Sequence, residues 1–210
     1  MAAIGLIHSC NPWPYYYSQW HEQRLVEKWL KAPADCQRDC LKPLRISIMD
    51  KNATDLFQAA VVFFATGGED AEYFRRALWL MREACRKGAP MEVRLITLCS
   101  VLEGLAKRHT KSKKQIGDET AWRTAIEKAG LPWDGLFDAI YKSYYAYRNK
   151  IAHGFDPHPA DEQSPELVFS AYSRITAGIY ILMAKRMGFT GALWRSHLEG
   201  EQIITLANKS

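Results

Sequence analysis

The sequence predicts a mainly α protein: an antiparallel bundle of five to six helices, preceded by an irregular N-terminal segment with room for short strands. Three observations predict it. Apolar residues recur with a helical period from about residue 53 to residue 187, the signature of amphipathic helices. Helix-starting and helix-stopping residues punctuate that stretch at short intervals. The first 50 residues break the pattern, with Pro12, Pro14, Pro33 and Pro43 and the aromatic cluster Trp13, Tyr15, Tyr16, Tyr17 and Trp20. Helices of this kind joined by short connections bury their apolar stripes on one another, which gives an antiparallel bundle. Three regions follow: an irregular extension over 1–52, the helical bundle over 53–187 and a C-terminal tail over 188–210.

Within the extension a helix is expected over Ser18–Leu30, and alternation marks Leu44–Met49 and Ala3–Ile7 as strand candidates. The first bundle helix runs from Ala53 to Ala65, with Phe57, Ala60, Val61 and Phe64 as its stripe, Asn52 as a cap and Gly67 as a stop. The second covers Ala71–Lys87, where Phe74, Ala77, Leu78, Met81, Ala84 and Cys85 face inward and Gly88-Ala89-Pro90 ends the helix. The third, Met91–His109, places Leu95, Leu98, Cys99, Leu102, Leu105 and Ala106 on one face. Glu103 lies on its flank, about 80° away. Asp118 caps a short fourth helix, Glu119–Ala129, which Gly130 and Pro132 terminate. Asp134 opens a fifth running to about Ala152. The sixth extends from Ser164 or Pro165 to Met187, with Val168, Ala171, Tyr172, Ile175, Ile179 and Leu182 apolar before Gly188.

Composition narrows the function classes. With 210 residues, 48% hydrophobic and 24% charged, the chain suits one ordinary domain and is not disordered as its main state. The longest uncharged apolar runs, Ala59–Thr66 and Ile175–Ala184, fall short of the roughly 18–20 residues that cross a bilayer. No basic residue precedes the brief apolar N-terminus, so a cytoplasmic chain without membrane contact is expected. The five cysteines show no C-x-x-C pair, so reduced thiols and no metal or cofactor are expected. Cys36 and Cys40 with His21 lack a fourth ligand and read better as scattered small hydrophobes. No P-loop, G-x-S-x-G or dinucleotide fingerprint is present. The net charge of +5 is mild, yet Lys107, Arg108, Lys111, Lys113 and Lys114 fall within eight residues. They are candidates for a local anion-binding patch, with a solvated connector as the plainer reading.

The chemistry-bearing residues gather on the fifth helix. Phe137, Ile140, Tyr144 and Ile151 define its apolar stripe, and Arg148, eleven positions after Phe137, falls about 20° from that line. A guanidinium there cannot lose its charge and needs an anion. Either Arg148 pairs with an acid such as Glu103 or Asp138, or it is an anion-binding site. Five positions later stands His153, followed by Gly154 and Pro157, which end the helix and let the imidazole turn back toward Arg148. Asp156 and His158, close to His153, read as an exposed turn rather than a metal site. Tyr141, Tyr144, Tyr145 and Tyr147 could stack bases, though a tyrosine row at helical spacing more often serves packing or a dimer surface.

The run Arg148-Asn149-Lys150-Ile151-Ala152-His153 resembles the R-x(4–6)-H motif of the HEPN family, including the polar residue after the arginine. It ends a long penultimate helix and is followed by one long final helix. The segment Leu98–Leu105 with Glu103 resembles the earlier helix of ApeA-like HEPN proteins. The resemblance covers about residues 53–187. It implies a metal-independent endoribonuclease in a toxin, abortive-infection or anti-phage role, acting as a homodimer with both motifs at one cleft. An antitoxin or sensor protein is an implied partner. It also implies catalytic roles for Arg148 and His153 and a supporting one for Asn149, with Glu103 and Tyr147 as further supporting residues. Some members have Tyr two positions after the histidine; Phe155 stands there in this chain. The competing expectation is a catalytically silent HEPN-like dimerisation, nucleotide-binding or regulatory scaffold module.

The residue types suit RNA cleavage on their own chemistry. Without a metal, a base must deprotonate a 2′-hydroxyl, an acid must protonate the departing 5′-oxygen, and a cation must hold the phosphorane. Imidazole and a planar guanidinium fill those roles. One imidazole cannot be both acid and base at once, which is a physical reason to expect a symmetric dimer.

Overall fold

The structure, a computed structural model, describes residues 16–21, 24–29, 51–84, 89–110, 116, 118–152, 165–197 and 200–206. Among the described residues six helices carry the fold: α1 (Lys51–Thr66), α2 (Gly68–Ala84), α3 (Met91–Thr110), α4 (Glu119–Lys128), α5 (Gly135–Ala152) and α6 (Pro165–Arg186). Two antiparallel hairpins lie outside them in the chain, β1 (Tyr16–His21) with β2 (Arg24–Trp29) and β3 (Ala192–His197) with β4 (Gly200–Thr205). The molecule is the mainly α bundle that the periodicity predicts.

Local chemistry sets the helix ends. Asp118 accepts the Ala121 N–H at 2.7 Å and caps α4. Asp134 accepts the N–H groups of Leu136 at 3.0 Å and Phe137 at 3.2 Å and caps α5. At the other end, Gly130 (φ 73°) and Gly188 (φ 81°) adopt the left-handed conformation. The next residues fold back, Leu131 N–H onto Ile126 O and Phe189 N–H onto Ala184 O, so the last carbonyls of α4 and α6 are satisfied. Gly67 and Gly68 turn α1 into α2 with φ of 74° and 84°. Asn52, expected as a cap, lies inside α1, which already begins at Lys51.

The core forms around α3 and α6. The predicted inward residues of α3 are all buried, Leu95 through Ala106. On α6, Ala171, Ile175, Ala177, Ile179, Ile181 and Met183 are buried on every side, as expected of a helix surrounded by others. Gly178 permits this closeness: a Cβ there would sit 3.0 Å from Ile140 of α5 and 3.2 Å from Leu102 of α3. Asp70 at the start of α2 meets Arg108 near the end of α3 and Arg186 at the end of α6. Hence α3 and α6 run in the same direction and α2 runs against them.

Three expectations change. The helix expected over Ser18–Leu30 is instead the β1–β2 hairpin, with Tyr16 opposite Trp29 and Trp20 opposite Leu25; aromatic and β-branched residues there favour extended backbone. The stripe of α1 is misphased. Leu56 and Ala60 are buried, whereas Phe57 and Val61 are exposed, because the run from Leu56 to Phe64 is apolar on several faces and gives no unique phase. The segment expected as a tail contains the β3–β4 hairpin, with Leu193 of β3 and Leu206 just after β4 buried in the main core. Leu44–Met49 and Ala3–Ile7 lie outside the described residues, as do Cys36, Cys40 and Cys85. Among the described residues no helix is long and apolar enough to cross a membrane.

Candidate functional site

Two helices build the site around Glu103. It projects from the flank of α3 toward α5, where Tyr144 and Arg148 stand one turn apart. One carboxylate oxygen, Oε1, lies 2.8 Å from Lys107 Nζ. The other, Oε2, accepts the Tyr144 hydroxyl at 2.9 Å and faces Arg148 Nε at 3.8 Å. The last distance is too long for a hydrogen bond, so this pairing is Coulombic. The Arg148 side chain is 30% exposed and Glu103 13%. Arg148 is therefore half-buried rather than enclosed in the core: Nε faces Glu103, and the Nη pair lies farther from that carboxylate. That arrangement offers a two-pronged donor to an anion.

The surroundings hold neighbouring groups neutral. Burial first, and then the hydrogen bond to Glu103, raises the Tyr144 hydroxyl well above the ordinary phenol value. Burial pushes the Cys99 thiol up to about 12, against the opposing pull of Arg148. Tyr144 is thus a fixed donor and Cys99 an inert packing residue.

Of the other motif residues, Asn149 is partly buried beside Arg148. Tyr147, expected to support the site, is 8% exposed and belongs to the core. Tyr141 and Tyr144 are buried too, with Trp122 ring centroids 6.2 and 4.7 Å from theirs. Only Tyr145 of this row is largely exposed, at 47%, so the tyrosines serve packing more than stacking. His153, Lys111, Lys113 and Lys114 lie outside the described residues, as do Gly154, Phe155, Asp156 and His158.

A second polar cluster adjoins the first through Lys107. Asp70 takes Arg108 Nη1 on Oδ1 at 2.7 Å, and Arg186 on Oδ2 through Nη2 at 2.5 Å and Nε at 2.9 Å. Burial pushes the Asp70 carboxyl up, but the hydrogen bonds and charges of the two arginines outweigh it and hold the group below the usual carboxylate value. The Arg108 guanidinium lies over the Tyr73 ring, 4.2 Å from its centroid. Tyr73 in turn rests on Gly104, where a Cβ would fall 1.7 Å from the phenol oxygen. These residues line a groove of about 780 Å³ between the α1–α2 turn and the ends of α3 and α6. Nearby, His109 Nε2 contacts Leu182 O at 3.2 Å, and burial lowers its pKa.

Sequence reasoning named Glu103, Lys107, Arg108 and Arg148 but missed Asp70, Tyr73, Tyr144's hydroxyl and Arg186 as polar partners. Asp70 and Arg186 are 116 residues apart, and no local pattern links them. The helical period places the Tyr144 ring on the apolar stripe, where it is buried, and says nothing of its hydroxyl. No protein-family model, curated protein or solved structure matches this chain.

Proposed function

We propose that the protein is a metal-independent endoribonuclease of HEPN type, cleaving RNA by attack of a 2′-hydroxyl in a cytoplasmic defence or toxin role. The observation that carries the reading is Arg148: half-exposed near the end of α5, with Nε facing Glu103 and its Nη pair farther from that carboxylate. In this reading the guanidinium holds the phosphorane, His153 moves the protons, and Asn149 supports them. Lys107, Arg108, Lys111, Lys113 and Lys114 draw in the strand. Two imidazoles are needed for simultaneous acid and base work, so the active form is a homodimer, and an antitoxin or sensor protein restrains it. Tyr141 and Tyr147 are committed to the core, which leaves Tyr145 as the tyrosine available to a dimer surface.

The 3.8 Å pairing with Glu103 also favours a second reading, in which Arg148 is a structural counter-ion and the bundle a silent HEPN-like scaffold. Arg148→Lys separates the two. Lysine keeps the charge but loses the two-pronged geometry, so turnover on RNA should fall at least a hundredfold with the melting temperature nearly unchanged. A counter-ion in a silent scaffold predicts otherwise: no cleavage by the wild type, and lost stability in the variant.

A further inference from the structure

The Asp70 groove carries an inference that rests on the ribonuclease reading and refines it. The groove takes in Gly104, next to Glu103, and Lys107, one helical turn beyond it, so it adjoins the Arg148 site along α3. Its charged lining is Lys107, Arg108 and Arg186 against Glu69 and Asp70. Lys107 is also paired with Glu103 just beside the groove, so the lining is close to neutral, and what it offers an anion is the donors these pairings leave unused. Asp70 engages one nitrogen of Arg108 and two of Arg186, so each guanidinium keeps donors for another anion. The aromatic component is equally specific. The Arg108 guanidinium carbon lies over the Tyr73 ring at 4.2 Å from its centroid, and Gly104 lacks the side chain that would lift Tyr73 away. A guanidinium plane backed by a ring is a platform on which an unpaired base stacks.

We infer that this groove is a subsite for one unstacked nucleotide of single-stranded RNA, its base on the Arg108 guanidinium and its phosphodiester at Lys107 and Arg186. Duplex RNA is excluded from it, because a paired base cannot leave its stack to reach the platform.

The test uses a labelled 2′-O-methyl hexanucleotide, which lacks the attacking hydroxyl, and the same strand carrying one abasic position at each site in turn. Fluorescence anisotropy with the full chain should show about a tenfold loss of affinity at one abasic position and little at the others. Arg108→Lys, which keeps the charge beside Asp70 but not the plane, should lose that position-specific penalty. Lys107→Gln leaves the stack untouched and should reduce the salt slope by about 0.7, one single-strand phosphate. A flat abasic profile in the wild type, a penalty unchanged in Arg108→Lys, or an unchanged slope in Lys107→Gln would overturn the subsite. The ribonuclease reading fails separately: a position-specific penalty with the 2′-hydroxyl strand left uncut keeps the subsite and removes the catalysis, whereas cutting with a flat profile does the opposite.

Discussion

Glu103 is shared by three side chains, and its replacement tests how the shared carboxylate is held. Tyr144 is buried and donates to it at 2.9 Å. In Glu103→Gln that hydroxyl meets a neutral oxygen and Lys107 and Arg148 lose their anion, for a cost of roughly 1–3 kcal/mol, measurable by denaturant unfolding. Asp70 has a pH signature. The two arginines hold its folded pKa below the ordinary value, so its contribution to stability is present above the unfolded pKa, about 3.9. That contribution is lost as pH falls through the folded value. Asp70→Asn should therefore lower stability at pH 7 by roughly 1–3 kcal/mol, with the gap to wild type closing below about pH 4. Unfolding curves across that range check it, and a pH-independent gap would contradict the pairing. Cys99, with its thiol pushed up to about 12, should resist alkylation in the native protein at pH 8, and peptide mass spectrometry will report its labelling.

Among the elements, helices were legible where one face differed from the other. The α2 and α3 stripes emerge buried as their spacing requires, whereas the apolar α1 gave no phase and its inward face was misassigned by one position, Phe57 for Leu56. Caps at Asp118 and stops at Gly130 and Gly188 were legible because they act on their own turn. The β1–β2 hairpin was not, since its residues also satisfy a helical count. Close packing between helices is likewise silent in sequence, and Gly178 is an instance. Alanine there gains about 1 kcal/mol of helix propensity but drives a methyl against Ile140 and Leu102. Overpacking of this kind costs roughly 1–3 kcal/mol, so Gly178→Ala should be net destabilising in chemical denaturation. A more stable variant would show that the three helices can separate there. Leu193→Ala should cost roughly 2–5 kcal/mol, because the hairpin it begins is fastened to the core rather than trailing from it.

For the molecule as a whole, the bundle was readable from periodicity, while the site was readable only along single helices. Arg148 could be placed near the α5 stripe by counting, and Glu103 on the α3 flank by the same arithmetic. What joins them, and what joins Asp70 to residues near the ends of two other helices, depends on tertiary approach, which no spacing encodes. Homodimerisation belongs to this scale: light scattering at micromolar concentration should give twice 24.0 kDa. A strictly monomeric protein that still cuts RNA would remove the two-imidazole argument while leaving Arg148 in place. The most direct test of the central claim is cleavage of total RNA and a defined tRNA in the presence of chelator by wild type, Arg148→Lys and His153→Ala. Thermal melts on the same preparations complete it. The predicted result is cleavage by wild type alone, with all three proteins melting within a few degrees of one another. Full activity in either folded variant, or no cleavage by wild type on any RNA, would contradict it.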